Sequence, residues 1–209
     1  NFNSDFWRGW FYYDDKILED YAIIRGDGAA LKAGACNAEI LPHKLIRKYK
    51  DITVTEIFAD NIDCLIIQLE TEIEIEFIPL FSPHLKMLTI GNQTASQSRG
   101  EIIIQFERFY FGLLFQAASP IKFASIIEQH NHNQNDYISK HQGYSTNAYN
   151  IFLGLKFGIG KHIIVLNLDN DFTRLKETGR AVLNNVNRYI DLKKLRFENI
   201  MASADIQTS

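Results

Sequence analysis

Cysteine is almost missing from these 209 residues: Cys36 and Cys64 are the whole supply. Two cysteines cannot build a disulfide framework, although a single bridge stays open. Both lie in apolar, strand-like surroundings, where cysteine behaves as a small buried hydrophobe, so neither reports on compartment. Long apolar runs are missing too. No stretch reaches the length of a membrane span, and no charged n-region with an apolar h-region opens the chain. The chain begins at Asn1 rather than Met. A removed leader would leave no trace, which leaves cytoplasm and periplasm both open. Positive charge is not in excess: 22 Lys and Arg face 25 Asp and Glu, for a net charge of -3. The electrostatic footprint of a nucleic-acid or anionic-membrane binder is therefore absent, and neither is expected as a partner. Gly-x-Ser-x-Gly, phosphate-loop, His-Glu-x-x-His and Cys-x-x-Cys motifs do not occur, so no motif-borne hydrolase, nucleotide or zinc chemistry is indicated. No cofactor is expected.

What is present suits a folded, mostly β protein. The chain is 46% hydrophobic and 22% charged, enough apolar surface for a real core and too much for disorder. Short apolar runs broken by polar turns continue to about Leu168. Residues 7–13, 17–24, 51–59, 64–70, 72–78, 101–106, 111–117, 121–128, 151–157 and 162–168 read as strands. Many short strands with turns between them predict an antiparallel β-sandwich, not a βαβ fold. In the 72–78 run Glu72, Glu74 and Glu76 alternate with Ile73, Ile75 and Phe77. Three carboxylates on one face predict a solvated sheet surface better than a catalytic pair. Arg25-Gly26-Asp27-Gly28 reads as a turn rather than an adhesion signal. Phe157-Gly158-Ile159-Gly160-Lys161 reads as a hairpin turn rather than a nucleotide cradle.

Two segments interrupt the strands. Ser82 to Gly100 is polar and is expected to be a loop. Gln129 to Asn150 is longer and rich in His, Asn and Tyr, a length usually functional or disordered. It contains His130, His132 and Asp136, with Gly143 beyond. Two histidines at i and i+2 on one side of a strand can both ligate a metal. The pattern resembles the first metal motif of cupins, but Asp136 stands where glutamate is usual and Ala124 where glycine is usual. Gly160, His162 and Asn167 miss the intervals of the second motif. A hydrated surface loop is the expectation, with His130 and His132 as weak metal candidates. Aromatic residues supply another candidate chemistry. Trp7, Trp10, Phe11, Tyr12 and Tyr13 lie close together, and alternating aromatics on an outer strand can stack on the C–H faces of sugars. Packing into the sandwich core is the competing role. Trp7, Trp10 and Tyr12, with Tyr137 and Tyr144 of the polar segment, are the carbohydrate-contact candidates.

The period changes near Asp169. Asn170 and Asp171 are N-cap types, and Phe172, Leu175, Gly179, Val182, Leu183, Val186 and Ile190 recur at helical steps. One long helix is expected to about Ala204, with Lys193, Lys194 and Arg196 in its last third. Its stripe needs a partner surface, either the sheet or a further domain. The expected organisation is a sandwich over 1–168 and a helical linker over 169–209 leading toward an absent catalytic domain.

The segment from Cys36 to Glu56 contains a strand, then Pro42-His43, then Arg47 and Tyr49 before a turn, then a strand with Glu56. It resembles the N-terminal β-sandwich of amylo-α-1,6-glucosidase proteins of the glycogen-debranching type and their glycoside hydrolase relatives. The resemblance implies a sandwich joined by a helical linker to an (α/α)6 barrel. That barrel carries the catalytic carboxylates, so the resemblance places no catalytic residue in this chain. Three functions compete: a non-catalytic support domain of a glycosidase acting on α-glucan, which the resemblance favours, an independent carbohydrate-binding module, or a metal-dependent cupin-like protein.

Overall fold

The computed structural model describes residues 10–13, 15–28, 31, 37–81, 87–96, 99–117, 122–124 and 154–207. Among them the chain forms β1 (Trp10–Tyr12), β2 (Asp15–Arg25), β3 (Asn37–Leu41), β4 (Lys44–Lys48), β5 (Ile52–Phe58), β6 (Cys64–Thr71) and β7 (Ile75–Phe81). There follow β8 (Met87–Ser96), β9 (Arg99–Phe106), β10 (Tyr110–Ala117), β11 (Lys122–Ala124), β12 (Gly154–Phe157) and β13 (Gly160–Asp169). Two helices close the series, α1 (Phe172–Asn184) and α2 (Val186–Gln207). The strands build a 5-stranded sheet, β1-β2-β7-β12-β11, and an 8-stranded sheet, β3-β4-β5-β6-β13-β10-β9-β8. All pairings are antiparallel. The fold is an all-β sandwich followed by C-terminal helices.

The core between the sheets draws Ile17, Ile23, Phe77 and Phe157 from the smaller sheet and Val54, Ile67, Ile104, Phe115 and Ile164 from the larger. Each large side chain removed from water here stabilises the fold by about 1.5–3 kcal/mol. The larger sheet is also covered on its outer face. There Ile57, Cys64, Ile66, Leu114 and Val165 meet Val182, Leu183 and Val186. This double burial explains why β6 and β13 are dense apolar runs rather than clean alternations. Cys64 is 1% exposed, and burial pushes its thiol well above the usual range. Cys36 lies outside the described residues.

Four sequence expectations change. The polar stretch after Ser82 is not simply a loop, because β8 pairs with β9. At a sheet edge the backbone ladder can hold a strand that has no apolar pattern. The glutamate run is not one strand: β6 ends at Thr71 and β7 starts at Ile75. The two strands belong to different sheets, so the chain must turn between them. Glu72 and Glu74 lie exposed in that connection, and Glu76 is half-buried on β7. For the same reason the turn at 158–159 is not a hairpin within one sheet. It carries the chain from β12 in the smaller sheet to β13 in the larger, with Gly160 at φ 134°. Finally, the terminal helix is two helices. At Asn185 the backbone leaves helical geometry (φ -132°, ψ 34°), and its N–H donates to the Val182 carbonyl.

Polar side chains fix the layers to one another. Tyr21 on β2 donates to Glu56 on β5 at 2.7 Å, and Arg47 on β4 donates to the Tyr21 hydroxyl. Arg47 also sits 2.9 Å from the Glu56 carboxylate. Burial and the neighbouring Glu56 push the Tyr21 phenol up, with Arg47 opposing them. The Arg and Glu of the segment from Cys36 to Glu56 thus tie the two sheets together.

α1 is docked by shape as well as by burial. The Asn167 amide donates to the Leu175 carbonyl at 2.7 Å, and its side chain fills a slot between Gly112 and Gly179. A Cβ on Gly179 would stand 2.6 Å from a Leu114 methyl, and one on Gly112 would collide with the Asn167 amide oxygen. Arg180 adds a fork to Glu101 on β9, at 2.8 and 2.7 Å, with Lys176 at 3.4 Å. Burial opposes ionisation of Glu101, but Arg180 and Lys176 outweigh it and hold the carboxyl below its usual range.

Candidate functional site

Antiparallel register gathers four connections at one end of the larger sheet, 42–43, 59–63, 107–109 and 169–171, and Tyr12 at the end of β1 lies near Asp169 and Asp63 there. Asn167 stands opposite Cys64, Tyr110 opposite Asp169, and Leu41 opposite Lys44. This is also the end from which α2 leaves. Asp171 caps α1 by accepting the Arg174 N–H at 2.8 Å, and the Arg174 guanidinium forks onto Asp169. Burial raises the Asp169 carboxyl, but the Arg174 bonds and the Asp171 backbone N–H bring it below the ordinary carboxylate range.

α2 crosses this end under a basic clamp. Lys193 and Arg196 approach Asp60 at 3.7 and 3.4 Å, and Lys193 donates to the Phe58 carbonyl. The β3–β4 turn stands beside it. Partial burial, Lys44 and Lys194 lower the His43 imidazole, with Glu198 opposing. From Lys194 to Ser203 every residue is exposed except half-buried Phe197. Leu192, Leu195, Arg196, Asn199, Ile200 and Ser203 recur at helical spacing and line a shallow open groove. Leu192 is 51%, Leu195 53%, Ile200 47% and Met201 58% exposed.

The aromatic candidates separate here. Trp10 is half-buried against the core and meets Phe58 edge to face at 6.2 Å. Tyr12 is half-buried too, with its ring 5.8 Å from Phe109. Burial, then Asp169, Tyr13 and Asp63, raise its phenol. Trp7, Tyr137, Tyr144, His130 and His132 lie outside the described residues. Among the described residues no group of three His, Cys, Asp or Glu is arranged to hold a metal.

Sequence reasoning passed over Tyr13. It is 81% exposed and occupies the left-handed region at φ 52°, a conformation that costs a bulky residue roughly 1–3 kcal/mol. Its sequence signal is slight: an aromatic residue where a tight turn prefers Asn or Gly. The Asp60 clamp and the Glu101–Arg180 fork had no local signal, since their partners lie far apart in the chain.

No family profile matches the chain, and no curated protein matches it. Among solved structures, its fold is similar to that of a bacterial glucoamylase determined in complex with acarbose, with a TM-score of 0.54 and 14% identity. The match covers 87% of this chain and 32% of the glucoamylase, so the chain spans about a third of that protein's length. At this identity the likeness is one of fold.

Proposed function

We propose that this chain is a non-catalytic sandwich domain of a glycoside hydrolase acting on α-glucan. In this reading α2 links it to an (α/α)6 catalytic domain in the same polypeptide. The observation that carries the proposal is the fold: a two-sheet sandwich with C-terminal helices that overlays about a third of a glucoamylase. The uncovered stripe of α2 supports it, because Leu192, Leu195 and Ile200 stand half in water on a helix clamped in one direction. Such a stripe is expected to be buried by the domain that follows, with the 42–43 turn bordering the contact.

Most glycosidases hydrolyse the glycosidic bond with two opposed carboxyls, about 5–9.5 Å apart. Glu72 and Glu74 lie exposed in the connection between β6 and β7, a solvated position rather than a cleft that would hold a sugar between two carboxyls. In this reading the catalytic pair belongs to the other domain. The resemblance in the segment from Cys36 to Glu56 further suggests amylo-α-1,6-glucosidase chemistry.

The test is to express the 209-residue chain alone and again with the polypeptide that follows it in its gene. Both are assayed for glucose release from α-1,4- and α-1,6-linked oligosaccharides. The longer protein is expected to release glucose and the chain alone none. Preference for the α-1,6 substrate supports the debranching assignment, and preference for α-1,4 removes it. Hydrolysis by the chain alone, abolished in Glu74→Gln, would overturn the support-domain reading.

A further inference from the structure

Among the described residues, Tyr13 and Asn61 are the non-glycine residues with positive φ, at 52° and 62°. Asparagine tolerates that conformation because its short side chain can bond locally; tyrosine has no such compensation. Tyr13 is also 81% exposed, so its ring recovers little burial to offset the strain. Glycine or asparagine would serve this turn better as far as folding is concerned. What tyrosine adds is a flat ring in solvent at the end of the sandwich.

That ring has a firm base. Tyr12 meets it edge to face, with centroids 4.8 Å apart and planes at 76°, and Tyr12 rests in turn on Phe109. Polar groups stand beside its support, Tyr12. Asp15 lies opposite Tyr12 in the ladder, and Arg108 approaches its carboxylate at 3.8 Å. Their side chains are 42% and 82% exposed. So exposed a pair contributes little to stability, and both groups can exchange one another for a ligand. A planar guanidinium and a carboxylate on the same end of the sandwich as an exposed aromatic ring suit a pyranose: the ring takes the C–H face, and donor and acceptor take hydroxyls.

We propose that Tyr13 is the stacking platform of an accessory glucan-binding subsite, with Arg108 and Asp15 bonding the sugar hydroxyls and Tyr12 as support. The ligand class rests on the α-glucan reading given above. Affinity electrophoresis of the 209-residue chain in glycogen-containing gels tests it, with Tyr13→Gly, Tyr13→Phe and Arg108→Ala beside the parent. The parent and Tyr13→Phe are expected to be retarded alike. Tyr13→Gly is expected to lose about fivefold in affinity, the effect of one aromatic contact, while its melting temperature holds or rises because glycine relieves the backbone. Arg108→Ala is expected to weaken retardation by a smaller factor. A parent that glycogen does not retard overturns the subsite, as does Tyr13→Gly binding at full strength. Loss of binding accompanied by a clear fall in melting temperature also overturns it, since the ring is then structural. Glycogen binding through Tyr13 without hydrolysis by the longer protein leaves the subsite standing and removes the glycosidase reading.

Discussion

α1 and α2 are separated by one residue, Asn185, and both carry apolar positions at helical spacing. Their fates are opposite. α1 buries Leu175, Gly179, Val182 and Leu183 against the larger sheet. α2 buries Val186 at its start, is pinned to Asp60 by Lys193 and Arg196, and holds Leu195, Ile200 and Met201 in water. The difference lies in what each helix runs over. α1 crosses the middle of an 8-stranded sheet, where β13 and β10 present an apolar outer face. α2 crosses the strand ends and continues past them. A helical stripe thus records a need for a partner, and the extent of the sheet decides whether the need is met within the described fold.

The comparison breaks most sharply at Gly179. Gly179→Leu forces a side chain into the space held by Leu114 and Asn167. Overpacking of this kind costs about 1–3 kcal/mol or more, read as a lower urea midpoint with α1 amides losing protection. Full stability in this variant would show that α1 is held by something other than close contact.

Acid should loosen α1 next. The Glu101 carboxyl is held below its usual range in the folded chain. A depressed carboxyl contributes stability that is complete above its unfolded pKa, near 4.3, and is lost as pH falls through the folded value. Melting temperature should therefore fall below about pH 4.3, and less steeply in Glu101→Gln. Parallel pH profiles for the two proteins would remove Glu101 from the attachment.

Asp60→Asn tests the clamp on α2. Its partners are partly exposed, so the expected loss is at most about 1 kcal/mol. Hydrogen exchange is the sharper measurement: amides from 193 onward should exchange faster while those of α1 stay unchanged.

The smallest effect is expected on the stripe itself. Leu195→Gln with Ile200→Gln should change the stability of the 209-residue chain by no more than about 0.5 kcal/mol. In the longer protein the same pair should cost several times more, because the stripe is then covered. A large loss in the chain alone would mean that α2 already has a partner, for example in a dimer visible by light scattering.

Local chemistry determined much of this molecule. Short apolar runs broken by polar turns predicted β5, β6, β10 and β13. Gly-Asp-Gly marked the turn after β2, and Asp171 announced the start of α1. These are properties of a few neighbouring residues, set by the two-residue period of a strand and the orphan N–H groups of a helix. Tertiary structure decided the rest. It sent β6 and β7, and again β12 and β13, into different sheets, turning an expected strand and an expected hairpin into corners. It made a strand of polar β8 by lending it the edge of β9. It paired Glu101 with Arg180 and seated Asn167 between Gly112 and Gly179. Of the candidate site, the helical stripe was legible as far as Ile190, but Leu192, Leu195 and Ile200 were not read as its continuation, nor was Tyr13 chosen over Tyr12. Periodicity tells a segment which of its faces is apolar. Only the packed sheets determine what lies opposite that face, or whether anything does.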